Sequence, residues 1–292
     1  MNSAKLILDK GNGQAVQAFN AALLELWDDG TYDDLFRSYY GRSPERFSDC
    51  VESPLALFYP EEHELINNGL LDFMLEEQTV KMCYSDFVAT FPSFDIQNGE
   101  VVGGFYPDLA VLILDRISRH YNIDTIVIEW VVNSVPAEFY PDHYEGRYDI
   151  IFMNLFKNAM FSLPLAPRPE LWDFSCGLVT AQPLRYYVCQ SAIDKGIDLT
   201  SARTINGPNT IVKTLPAGAQ AARAEATFPD SQVSSVPDLT TLRIECENGS
   251  LDVFVELPDR ITDTFDDLIF DDRAIGTYIN TGAAFRKDKK DC

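Results

Sequence analysis

Val80-Lys-Met-Cys-Tyr84, Phe91-Pro-Ser-Phe94, Val101-Val-Gly-Gly-Phe-Tyr-Pro-Asp108, Thr125–Trp130 and Gly146-Arg-Tyr-Asp-Ile-Ile-Phe-Met-Asn154 follow one another within Val80–Ser175, and their order decides the fold. The first is an apolar run with strand character. An aromatic-proline corner and a turn, Gln97-Asn-Gly-Glu100, come next. Asp108 is placed to cap a helix from Leu109 to about His120, where Leu109, Leu112, Ile113 and Ile117 recur at helical spacing. Thr125–Trp130 is β-branched and reads as a second strand, and Ile150–Asn154 as a third. Strand, helix and strand in alternation predict an α/β protein with right-handed crossovers and a largely parallel sheet. Sites on such sheets lie beyond the carboxyl ends of the strands. Those ends are Phe91–Phe94, Trp130 and Met153-Asn154.

The 292 residues suffice for a sizeable core in two lobes. A hydrophobic share of 46% fits a globular domain, and no apolar run is long enough to span a bilayer. Met1–Lys5 carries no apolar signal core. The net charge of −22 argues against nucleic acid and anionic membrane as partners. Cys50, Cys83, Cys176, Cys189, Cys246 and Cys292 show no metal-ligand spacing, and His63, His120 and His143 form no motif. No cofactor is expected. Half or more of the cysteines are expected as plain buried thiols.

Working outward toward the front, Ala4–Leu8 reads as a short strand and Asp9–Gly13 as a turn. Gln14–Asp28 has Val16, Phe19, Leu23, Leu26 and Trp27 on one helical face, and Asp34–Tyr40 makes a second helix ending at Gly41. Residues 42–79 form a joint broken by Pro54 and Pro60, with a helix expected over Glu61–Glu77. Toward the back, alternation resumes: strands at Leu184–Cys189, Thr210–Leu215, Gln232–Val236 and Leu251–Leu257, helices at Gln220–Thr227 and Leu239–Glu247.

These motifs resemble the extracellular solute-binding proteins of family 3, the amino-acid-binding proteins of ABC importers. Phe91-Pro-Ser-Phe94, Gly99 with Gly104-Phe105, Asp108-Leu-Ala110, Gly146 with Asp149-Ile-Ile151, and Arg168 with Asp173-Phe-Ser175 carry the likeness. It implies a two-lobed type II periplasmic-binding-protein-like fold and a periplasmic or extracellular setting. Phe19-Asn-Ala-Ala-Leu23 and Asp29-Gly-Thr-Tyr-Asp33 with Tyr39-Tyr-Gly41 match the family's last segment, yet stand at the front. Gly282–Asp291 and Ala4–Gly13 both resemble the strand and turn before that segment. The arrangement is circularly permuted, or a slice of a tandem array. The implied layout is 4–41 completing the first lobe, a linker over 42–79, lobe 1 over 80–185, lobe 2 over 186–265, and a return crossing with a duplicated edge strand over 266–292. Residues 4–41 are expected to pack on lobe 1, within one molecule or in a swapped oligomer.

The resemblance also nominates site residues. Arg168 grips a ligand carboxylate, as a planar guanidinium does best. Phe91 and Trp130 supply aromatic walls, and Asp86 a carboxylate for an ammonium group. Asn154 stands where the family has a hydroxyl, and Leu165 where it has a threonine. Gly218 marks a helix start whose N–H groups can bind an anion, although Ala219 lacks the family's threonine hydroxyl. The family's ammonium-binding acid falls on Leu257, with Glu256 one place early, and Asp252 matches a position that is usually structural. The implied function is non-enzymatic binding of an amino acid or small carboxylate in a hinged cleft, with an ABC permease or neighbouring repeats as partners. Two rivals stand beside it. Pro216–Gln220 and Asp252–Val255 resemble the cyclohexadienyl and arogenate dehydratases, although their general-acid place falls on Arg260. The other rival is a sensory module with a degenerate pocket.

Overall fold

The computed structural model describes residues 13–44, 58–85, 92–133, 139–156, 172–178, 184–215, 219–256, 271–274 and 281–286. The chain divides into two units. It leaves the first after the 172–178 segment and returns to it before β12 (Thr281–Arg286).

The first unit is built on a five-stranded sheet of β1 (Thr79–Tyr84), β4 (Val127–Val132), β5 (Ile150–Phe156), β6 (Trp172–Phe174) and β12, in the order β4-β1-β5-β12-β6. β4, β1 and β5 are parallel, while β12 runs antiparallel to both of its neighbours. β1 is therefore an inner strand, with Val80, Met82 and Cys83 fully buried. The second expected strand sits two residues later than its β-branched run suggested, because Thr79 pairs with Val127 and Tyr84 with Val132. β2 (Asp95–Gln97) and β3 (Glu100–Gly103) form a hairpin through Asn98 and Gly99, both at positive φ.

α4 (Phe105–His120) begins four residues earlier than expected, and Asp108 does not cap it. Gly104 holds the cap position at φ 114°, and the Phe105 and Tyr106 N–H groups donate to the Pro92 and Ser93 carbonyls at 2.8 and 3.1 Å. Pro107 is tolerated because a first-turn residue needs no N–H. Asp108 instead accepts from the Tyr39 hydroxyl at 2.6 Å. The helix expected over Glu61–Glu77 is broken. One 3-10 turn covers Glu62–Glu64, and α3 (Leu70–Glu77) starts only after Asn68, whose φ of 62° interrupts helical geometry.

α1 (Gly13–Asp28) and α2 (Thr31–Tyr40) pack into this first unit. α1 buries Ala15, Ala18 and Ala22 together with Phe19, Leu23 and Leu26, so small residues let it sit close to the sheet. Phe19 meets Phe285 of β12 edge-on at 5.1 Å, and fully burying such a side chain is worth about 2–3 kcal/mol. Phe105, from the Gly-Gly-Phe-Tyr motif, is enclosed by Tyr32 at 6.1 Å, Phe36 at 5.4 Å and Tyr40 at 5.2 Å. Two polar bonds fasten the same helices to the end of the unit. Asn20 Oδ1 accepts from the Cys176 N–H at 2.7 Å, and the Tyr32 hydroxyl donates to the Leu178 carbonyl at 2.6 Å.

The second unit has a sheet of β7 (Arg185–Val188), β8 (Ile211–Thr214), β9 (Gln232–Ser235), β10 (Val253–Glu256) and β11 (Asp271–Ala274), ordered β11-β7-β10-β8-β9. β10, β8 and β9 are parallel, and β7 is antiparallel to β10. Helical turns α6 (Gln190–Asp194) and α7 (Ala202–Ile205) and helices α8 (Ala219–Thr227) and α9 (Leu239–Glu247) complete it. Asp252 is fully buried, accepting from Lys195 Nζ at 2.7 Å and the Ile211 N–H at 2.9 Å, which gives that acid a structural task.

The cysteine expectation is overturned. Cys189 and Cys246 form a disulfide that ties the start of α6 to α9, and Cys176 is disulfide-bonded as well. Among the described residues only Cys83 is a free thiol.

Candidate functional site

In the first unit the carboxyl ends of β1 and β4 lie side by side. The Asn133 N–H donates to the Tyr84 carbonyl at 2.9 Å, one step beyond the last paired residues. The Asn133 amide then donates to Asp142 Oδ2 at 3.0 Å, and Arg147 reaches the other carboxylate oxygen at 3.2 Å. These bonds, buried at Asn133 and Asp142, tie α5 (Phe139–Tyr144) to the end of β4. His143 is buried there, its Nε2 bonded to the Asp149 carbonyl at 2.7 Å, between the rings of Tyr148 and Trp172. Asp149 clamps β1 from the side, its carboxylate accepting from the Lys81 N–H and its own N–H donating to the Lys81 carbonyl. Burial pushes the Cys83 thiol up to about 12 and raises the Tyr148 phenol, so neither ionises near neutrality. Ser85, the residue after β1, is fully buried, and its hydroxyl makes no hydrogen bond to the described residues.

Trp130 belongs to an aromatic layer on the α4 side of this sheet. Its ring lies 5.7 Å from Phe94, 6.1 Å from Tyr84 and 6.4 Å from Phe152, and it is half-buried on an edge strand. Asn154 is in β5, two strands from Trp130 across β1. Arg168, Phe91, Asp86 and Gly218 lie outside the described residues, as do Leu165, Leu257 and Arg260.

In the second unit Glu256 closes β10 and is fully buried. Its Oε1 accepts from the Gln220 amide, in the first turn of α8, at 3.0 Å. Arg185, the first residue of β7, stands directly opposite Glu256 in the antiparallel register. Arg185 escapes a reading of the sequence because a long-range antiparallel pairing sets it opposite Glu256, and Gln220 because α8 packs against β10. The available signal is a basic residue opening one strand and an acidic residue closing another. Beyond the end of β9, two strands from β10, Asp238 caps α9 by accepting from the Thr241 N–H at 2.7 Å. That bond holds its carboxyl below the usual range. Among the described residues no cluster of His, Cys, Asp or Glu could hold a metal ion.

No family model and no curated protein matches the chain. Solved structures match in fold. PfVFT1 of Plasmodium falciparum aligns at a TM-score of 0.65 and 13% identity over 98% of this chain and 99% of that one. The reconstructed ancestor AncCDT-1 aligns at 0.55 and 20% over 74% and 86%; it is described as an amino-acid-binding protein and a precursor of cyclohexadienyl dehydratase. A binding component of an ABC transporter from Wolinella succinogenes, solved with lysine, aligns at 0.53 and 16% over 73% and 84%.

Proposed function

We propose that this chain, which has the type II fold of the periplasmic amino-acid-binding proteins, binds a small polar solute without transforming it. One observation carries the reading. The chain divides into two α/β units, each built on three parallel strands, and it passes between them more than once. Repeated crossings between two such units suit a hinge that closes on a ligand. Arg168 gripping a carboxylate, with Phe91, Asp86, Asn154 and the Gly218 turn around the solute, belongs to the proposal, as does delivery to a permease.

The permuted order is also part of the reading. α1 and α2 pack into the first unit, and β12 joins its sheet. PfVFT1 aligns along nearly its whole length, whereas the two bacterial-type folds leave out about a quarter of this chain. A displaced opening segment of residues 4–79 amounts to such a share. An extracytoplasmic setting is favoured by the Cys189–Cys246 disulfide. No helix among the described residues is long and apolar enough to cross a membrane.

The test is a thermal-shift screen over amino acids, dicarboxylates and polyamines, paired with native mass spectrometry. A ligand at a hundred times its Kd stabilises by about 2.7 kcal/mol, which is a readily measured shift. A flat screen together with a mass that equals the bare chain refutes the reading.

A further inference from the structure

We propose that Asn248 is an acceptor for an N-linked glycan, a modification that goes beyond solute binding and rests on other observations. Asn248-Gly-Ser250 is the single Asn-x-Ser/Thr triplet in the 292 residues. Such triplets also arise by chance, so the place of this one in the fold decides. Asn248, Gly249 and Ser250 are all exposed, in the turn that joins α9 to β10. α9 ends there, with the Asn248 N–H donating to the Ile244 carbonyl at 3.0 Å. Gly249 follows at φ 75°, a left-handed conformation that glycine takes freely. The chain thereby turns back on itself. The Ser250 N–H donates to Asn248 Oδ1 at 3.0 Å and to the Glu245 carbonyl at 3.0 Å, and the Ser250 hydroxyl donates to Asn248 Oδ1 as well.

Two donors on Oδ1 stabilise negative charge on that oxygen, which favours loss of a proton from the amide nitrogen. In the transfer, Nδ2 gives a proton to a base of the transferase and bonds to the anomeric carbon of a lipid-pyrophosphate sugar donor. The bond from that carbon to the pyrophosphate breaks, and the pyrophosphate leaves with the electron pair. The compartment fits. Cys246, in the last turn of α9, is bonded to Cys189, and disulfides and N-glycans are both marks of exported proteins. The placement also spares the solute. Ser250 precedes β10, at the amino end of the unit's parallel strands, whereas ligands of such sheets sit beyond the carboxyl ends.

The test expresses the full chain in eukaryotic cells behind a cleavable secretion leader. Intact mass is measured first. Peptides are then mapped after an endoglycosidase that leaves one N-acetylglucosamine on the asparagine, a tag that separates glycosylation from spontaneous deamidation of Asn248-Gly249. Medium and cell lysate are both read, so a variant that is poorly secreted still reports. The expected result is a glycan on Asn248 of the wild type, complete loss of it in Asn248→Gln and Ser250→Ala, and its retention in Ser250→Thr. A wild-type chain of bare mass in both fractions overturns the proposal, and so does a glycan that persists in Asn248→Gln. Either outcome leaves solute binding intact, because that is read separately by thermal shift.

Discussion

Replacing Gly104 with alanine tests how the first unit is held at its hairpin. Gly104 has φ 114° and ψ 168°, a region open essentially to glycine alone, where another residue costs about 1–3 kcal/mol. The added Cβ also meets backbone: Phe94 Cα at 2.6 Å, the Asp95 nitrogen at 2.8 Å and the Ser93 carbonyl oxygen at 2.8 Å. None of these is the yielding end of a side chain, and such overpacking costs about 1–3 kcal/mol more. The sum of about 2–6 kcal/mol is a large part of the 5–15 kcal/mol that holds a typical domain. Gly99→Ala is the matched control. Gly99 sits at φ 84° with nothing within 4 Å of its Cβ position, so only the left-handed backbone is penalised, by about 1–2 kcal/mol. Trp27, Trp130 and Trp172 all lie in the first unit, so urea unfolding followed by tryptophan fluorescence reports on that unit alone. Gly104→Ala is expected to lower its midpoint well beyond Gly99→Ala. Equal midpoints for the two variants would refute the close approach of Gly104 to the Ser93–Asp95 backbone.

Replacing Cys189 and Cys246 by alanine opens a loop of 57 residues and is expected to cost up to about 4 kcal/mol, read by calorimetry; reduction of the wild type, which also opens the Cys176 bond, should cost at least as much. Cys83, buried and with its thiol pushed up to about 12, is expected to resist alkylation at pH 8 in the folded protein and to react once urea unfolds it, read by mass spectrometry. Hydrogen bonds from Thr31, aided by Arg116, hold Asp29 down to about 2, below its unfolded value. Its contribution to stability is therefore complete above about pH 4 and fades as pH falls toward 2, and Asp29→Asn should flatten the acid limb of the unfolding curve there. Asn20→Ala removes the acceptor of the buried Cys176 N–H and should lower stability by about 1–3 kcal/mol by urea titration.

Strands and helices with strong periodicity were legible from the residues. Leu239–Glu247 occupies the expected span, and the β8 and β10 ends move only by one or two residues. Boundaries set by backbone geometry were not. The start of α4 depends on the Phe105 and Tyr106 N–H groups donating to the Pro92 and Ser93 carbonyls of another segment, which local propensity does not contain. β6 and β12 are short, and their strand character comes from filling the sheet beyond β5. The candidate site was legible only through motif likeness. Trp130 was open between core and pocket, and its ring contacts place it in the aromatic layer beside Phe94. Glu256 was weighed as a ligand for an ammonium group because alternation along β10 says which face it takes but not who waits there. Gln220 and Arg185 reach it through tertiary pairing alone.

The position of β12 between β5 and β6 bears on the order in which the molecule is made. Everything needed for the second unit leaves the ribosome before Thr281 does, so that unit has the chance to fold while the other is still waiting. The first unit has β1, β4, β5 and β6 before the second unit is made, but the strand between β5 and β6 only after it. Through that interval β5 shows a bare flank, and a strand from another nascent copy is equally able to fill it.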